Sequence, residues 1–152
     1  MTSIMTKKEN VQMKKNDAMS SVDYVGQLRC RSTHHRSGQV IETDAPTDNH
    51  GKGMKFSPTD LMSTSLANCM LTVMGIRTQQ MTGSLDGSSA DVFKVMADQP
   101  RRVQKIIVHL YLKGGGFSEK ERKVLENVGR TCPVALSLSD SLEQELHFHW
   151  ED

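Results

Sequence analysis

A chain of 152 residues is long enough to fold as one domain with a real core. With 19 basic and 18 acidic side chains its formal net charge is +1, so no whole-molecule field draws in nucleic acid or an anionic membrane. Aromatic residues, at 5%, are too few for a base-stacking platform, and no apolar run nears the roughly 20 residues that span a bilayer.

Residues 1–20 are polar, rich in Lys and Met, and lack a period. They read as a mobile arm, and residues 21–152 as one domain. The basic pairs Lys7–Lys8 and Lys14–Lys15 read as solvated. The arm carries no continuous apolar stretch, so it is no secretory signal, and a cytoplasmic location is expected. The three cysteines, Cys30, Cys69 and Cys132, are too few and too odd in number for a disulfide framework.

From Val22 the pattern alternates. Tyr24, Leu28 and Cys30 fall on one face of a predicted strand, with Val25, Gln27, Arg29 and Arg31 on the other. The turn at Arg36, Ser37 and Gly38 leads to a short strand, QVIET, and then to a Pro- and Gly-rich loop, DAPTDNHGKGMKF. Ser57 is a good N-cap, Pro58 suits the first helical position, and Asp60 completes a capping-box spacing. The stripe Met62, Leu66, Cys69, Val73 and Ile76, widened by Leu61, Met70 and Met74, predicts a buried helix face, ending before Gly83.

SSADVFKVMAD and VQKIIVHLYLK follow as strands, the second with Ile106, Val108, Leu110 and Leu112 on its core face. After the Gly114–Gly116 break, Ser118 and Glu121 predict a second capped helix ending at Gly129, with Leu125 and Val128 inward. TCPVALSLS reads as a short helix, and Leu142 to Trp150 as a closing strand. The order β-β-α-β-β-α-α-β is an α+β pattern.

The candidate chemistry rests on thiols. Cys69 lies on the apolar stripe, where the pattern favours a core filler over a nucleophile. Cys132 precedes a proline at a helix start, where backbone N–H groups favour a thiolate, and capping alone explains it about as well. Cys30 reads as strand filler. The six histidines form no metal signature, and GKG at 51–53 lacks the flanking residues of a phosphate loop. No cofactor is expected.

GKGMKFSPTDLMSTSLANC, followed by TCPVALSL, resembles the OsmC/Ohr family, the osmotically inducible protein C and organic hydroperoxide resistance proteins. The likeness runs from about Val22 to Trp150, includes PRRVQKI, and lies closest to the OsmC-like branch. Its signature is a cysteine eleven residues after the helix-start proline, as Cys69 follows Pro58, and a second cysteine in a T-C-P motif. The resemblance implies curved antiparallel sheets wrapped around central helices in an intertwined homodimer with active sites at the interface. It further implies thiol-dependent reduction of organic hydroperoxides, with Cys69 as the peroxidatic thiol, Cys132 as the resolving thiol and an external dithiol as reductant. The activating cation is an arginine of the first strand region; Arg29, Arg31 and Arg36 are the candidates, and Arg29 is favoured. Where the hydroperoxide-resistance branch carries a glutamate that orients this arginine, the chain has Thr59. That departure sustains an alternative reading as a binding or redox-sensing module for a small apolar ligand.

Overall fold

The computed structural model describes residue 14 and residues 17–152. Most of the expected arm, with Lys7, Lys8 and Lys15, lies outside the described residues. The chain divides after Ser57 into two compact units.

The first unit is an antiparallel meander of β1 (Ser20–Gly26), β2 (Arg29–His34) and β3 (Val40–Asp44). The single strand expected over Val22–Arg31 is therefore two. Gly26 pairs with Arg29, and the chain reverses at Gln27 and Leu28, whose φ values are 52° and 60°. Positive φ at both central residues is the geometry of a type I′ hairpin, which normally announces itself as Asn-Gly. Gln-Leu carries no such signal, so alternation ran straight through the turn. Cross-strand pairing still leaves Tyr24 opposite Cys30 on one face, as Val22 is opposite Ser32. The other face carries Arg29, Arg31, Glu42 and Asp44, in directly opposed pairs.

After β3 the chain forms a one-turn 3-10 helix, Thr47–Asn49, and folds back on itself. Ala45 donates its N–H to Leu28, and its carbonyl accepts from Gly53. A Cβ built on Gly51 would lie 1.7 Å from the Ala45 carbonyl oxygen, so only glycine fits there. Gly51→Ala is therefore expected to displace the loop, and faster amide exchange at Gly53 and Met54 is the measurement that shows it.

The second unit packs three helices against a sheet of order β4-β5-β6. Its helices are α1 (Pro58–Thr78), α2 (Glu119–Arg130) and α3 (Pro133–Ser137), and its strands are β4 (Ser89–Asp98), β5 (Arg101–Lys113) and β6 (Glu143–Glu151). β4 and β5 are antiparallel, but β5 and β6 run parallel, because α2 and α3 form the crossover between them. The sheet is thus mixed rather than wholly antiparallel. Ile106, Val108, Leu110 and Leu112 are fully buried, as their alternation predicts.

In α1 the buried stripe is Ser63, Leu66, Ala67, Met70 and Met74. The Leu66, Met70 and Met74 side of the expected face is the buried one, while Cys69 sits half-buried at its margin and Ile76 is exposed. The glycine on α2 faces that side: a Cβ on Gly129 would come within 3.0 Å of the Met74 Sδ and 3.5 Å of the Met70 Cε. α2 thus leaves its room for these two methionines. Gly129 is buried inside α2 rather than ending it. The capping box of α2 is complete: Glu121 N–H donates to Ser118 Oγ at 3.2 Å, and Ser118 N–H donates to Glu121 Oε2 at 2.9 Å.

Candidate thiol site

The second unit brings two of the predicted residues together. Cys132 is the N-cap of α3: its Sγ accepts from the Ala135 N–H at 3.4 Å, and Pro133 stands at N1. α3 is held from the sheet, because Gln144 of β6 donates to the Ala135 carbonyl at 2.9 Å. Cys132 is only 1% exposed and belongs to the core cluster, against which Cys69 of α1 packs. The Cys69 thiol lies close enough to the Cys132 thiol to act on it electrostatically. All three cysteines are free thiols.

The electrostatics of Cys132 differ from the sequence expectation. Burial pushes its thiol up from the ordinary value and outweighs the Ala135 N–H, which pulls it down. The neighbouring Cys69 raises it further. A cap position in a five-residue helix is too weak to make a thiolate of a sulfur so deeply buried. The pair is therefore asymmetric, with one thiol at the margin of the core and a protonated thiol behind it.

Arg29 belongs to the first unit, on β2, directly opposite Asp44 of β3. Its Nε donates to Asp44 Oδ1 at 2.7 Å and its Nη2 to Oδ2 at 2.9 Å. This is a bidentate pair, the strong form of a charge-assisted contact. Asp44 is 1% exposed and also accepts the Met54 N–H at 3.2 Å. The Arg29 hydrogen bond, more than any other contact, holds the Asp44 carboxyl below its usual range, and Asp44 raises the guanidinium in turn. A depressed carboxylate stabilises the fold above its unfolded value, near pH 4, and loses that contribution as pH falls through its lower folded value. The gap in urea midpoint between wild type and Asp44→Asn is accordingly expected to be full at pH 6 and to close as pH drops below about 4.

The other arginine candidates are placed differently. Arg31 is 52% exposed and bonds one oxygen of Glu42, at 3.1 Å and 3.3 Å. Arg36 lies in the exposed turn between β2 and β3. Asp60 receives the Lys94 ammonium at 2.7 Å, and the same Nζ donates to the Thr59 hydroxyl at 3.0 Å. Sequence reading passed over both Lys94 and Asp44. Lys94 was legible as a lysine on the inward register of Val92 and Met96; Asp44 had no signal except its place at the end of a strand.

Three histidines gather on the outward face of the second sheet. His109 Nδ1 and His149 Nε2 are 2.9 Å apart, and His147 hydrogen-bonds Glu145 at 2.9 Å. Among the described residues, no group of three or more His, Cys, Asp or Glu side chains is arranged to hold a metal ion. Among them, too, no helix is long and apolar enough to cross a membrane.

Comparison with known proteins agrees with this geometry. The family model described as OsmC-like protein matches residues 50–147. The chain is similar to a solved structure from Psychrobacter arcticus 273-4, provisionally described as an osmotic stress induced and detoxification response protein. Identity is 43%, with 87% of this chain and 96% of that one covered and a TM-score of 0.82. An OsmC-like protein of Mycoplasma pneumoniae (16% identity, 88% and 96% covered, TM-score 0.72) shares the fold. So does an organic hydroperoxide resistance protein OsmC of Legionella pneumophila (14% identity, 87% and 97% covered, TM-score 0.68). No curated protein matches the chain. The matched residues span the helix that carries Cys69, the Cys132 cap and the sheet behind them, and the chain belongs to the OsmC-like protein family.

Proposed function

We propose that this protein is a cysteine-based reductase of organic hydroperoxides. The observation that carries the reading is the asymmetric thiol pair: Cys69 half-buried and packed against the core cluster, Cys132 buried within that cluster. The Cys69 thiolate attacks one oxygen of the O–O bond, the alcohol departs after taking a proton, and Cys69 becomes a sulfenic acid. The Cys132 thiol then condenses with it, a disulfide forms and water leaves. An external dithiol reduces the disulfide by exchange. Cys132, held as a thiol by burial, suits the second step rather than the first. Arg29 is the cation that favours the Cys69 thiolate, and hydrogen peroxide is a second, smaller substrate. Three free thiols fit a reducing cytoplasm.

The active form is a homodimer. Among the described residues the first unit buries no large apolar side chain of its own, and Val22, Tyr24 and Ile41 share one sheet face at 47–67% exposure. A second copy covers that face, at a gain of about 25 cal/mol per Å² of apolar surface removed from water. Sedimentation at micromolar concentration tests the dimer, and a monomer there removes it. Stopped-flow mixing of reduced protein with tert-butyl hydroperoxide tests the chemistry, with two thiols lost per peroxide consumed. Slow thiol loss together with an apolar molecule copurifying with the chain would turn the reading to a ligand-binding or sensing module.

A further inference from the structure

We propose that His109 and His149 form a pH-sensitive latch between β5 and β6, closed while the pair carries at most one added proton and opened by a second. The latch lies wholly within the second unit and is independent of the thiol chemistry. β6 bonds to β5 alone in its sheet, and in parallel, the slightly weaker pairing per residue. Side chains that bond across the outward face therefore add to its hold. β6 is also the strand from which Gln144 holds α3.

The register sets His109 opposite His147 and Tyr111 opposite His149, so His109 meets His149 on the diagonal. Their facing nitrogens, Nδ1 and Nε2, are 2.9 Å apart, the ring planes differ by 7°, and the centroids lie 5.2 Å apart. That centroid distance is the nitrogen contact plus one ring radius at each end. The rings therefore share a plane and meet edge to edge, through one in-line N–H···N bond. One nitrogen carries the hydrogen and the other offers its lone pair. A first added proton goes to the far nitrogen of the donor ring and makes the bond charge-assisted. A second has only the accepting nitrogen left to take it. Two N–H groups and two cations then face each other, and the contact is lost.

The surrounding charges offset one cation but not two. Asp91 of β4 stands opposite His109. Glu145 is engaged by His147 at 2.9 Å and by Lys105 at 3.0 Å, Glu143 by Lys105, and Glu151 by Lys113. His147 lies face to face with His109, centroids 4.5 Å apart, so its own protonation sets another cation against that ring. The flanking rings, Phe93 against His109 and Tyr111 against His149, bring no carboxylate. In the unfolded chain both histidines take protons near the ordinary imidazole value, about 6.5, whereas the closed latch admits only one. Its contribution to stability is therefore present above that range and lost as falling pH forces in the second proton.

The test uses the full-length chain at one fixed protein concentration. Urea midpoints of wild type, H109Q, H149Q and the double variant give the coupling between the two rings at each pH. The coupling is expected to be stabilising at about pH 8 and absent or reversed at about pH 5. No coupling at the alkaline end, or the same coupling at both ends, overturns the proposal. If a variant does not fold, wild type alone carries the test, through long-range proton–nitrogen NMR spectra of the imidazoles. At about pH 8 these are expected to show one nitrogen of the contact protonated and the other bare, with two separate steps for the pair on acidification. A single step shared by both rings overturns the proposal as well. Neither readout involves the thiols, so failure here leaves the hydroperoxide reading standing.

Discussion

Cys69→Ser is expected to abolish hydroperoxide reduction, with kcat/KM down at least about a thousandfold, because the hydroxyl that replaces the thiol has no accessible anion at neutral pH. Cys132→Ser behaves differently, and the contrast tests the assigned roles. The first turnover survives, since the attacking sulfur and its surroundings are intact. The sulfenic acid then has no partner, persists, and is oxidised to the sulfinic acid by further peroxide. Intact-protein mass spectrometry after one and after many equivalents of peroxide reads this directly: a single added oxygen gives way to two on Cys69. Wild type instead shows the loss of two hydrogens that marks a disulfide. Equal rates of thiol loss in wild type and Cys69→Ser would remove Cys69 from the chemistry. A wild type that gains oxygen without forming a disulfide would remove Cys132. Burial is what separates the two positions. In the proposed mechanism the half-buried sulfur meets substrate first and the 1% exposed one follows.

Leu110→Ala is expected to cost about 2–5 kcal/mol in unfolding free energy, a fall of about 4 to 20 °C in melting temperature for a chain of this size. Leu110 is fully buried on the middle strand of its sheet, opposite Ala90 of β4 and Phe148 of β6. Both strands and the helices above close over it, so truncation leaves a cavity that none of them can collapse to fill. Ile107→Ala, three residues away on the outward face and only half-buried, is expected to cost about 1 kcal/mol or less. Urea unfolding of the two variants under one set of conditions checks the difference. Equal costs would mean that the core is not centred on this face of β5.

The two substitutions separate function from fold. Cys69 lies at the margin of the α1 stripe and Leu110 at the centre of the sheet, so the first is expected to change rate with little effect on stability and the second the reverse. Substitutions on the Arg29–Asp44 pair act on the first unit, where the carboxylate anchors a loop as well as a guanidinium.

Much of this protein was determined by its sequence alone, and the reason is range. Capping boxes, prolines at the first helical turn and the two-residue period of Ile106 to Leu112 act between residues a few positions apart. The α2 cap and the buried face of β5 were therefore legible without any tertiary information. Local pattern alone read Cys69 as core filler; it was the resemblance to the OsmC/Ohr family, carried by the eleven-residue step from Pro58 to Cys69 and the T-C-P motif, that marked both thiols. What the sequence could not decide were contacts set by register and packing. A hairpin through Gln27 and Leu28 has no turn signature, so two strands read as one, and the pairing that sets Arg29 against Asp44 was invisible. Of the expected α1 face the Met70 and Met74 side is the fully buried one and Ile76 is exposed; the glycine on α2 that makes room for those methionines is absent from the periodicity of α1 itself. Cys132 was expected to lean toward a thiolate from its cap position, and burial reversed the direction. Local pattern determined which elements form, and the family resemblance which sulfurs to watch; only the folded chain decided which carboxylate holds Arg29 and which thiol is buried, because both depend on residues far apart in sequence being brought to within a few ångströms.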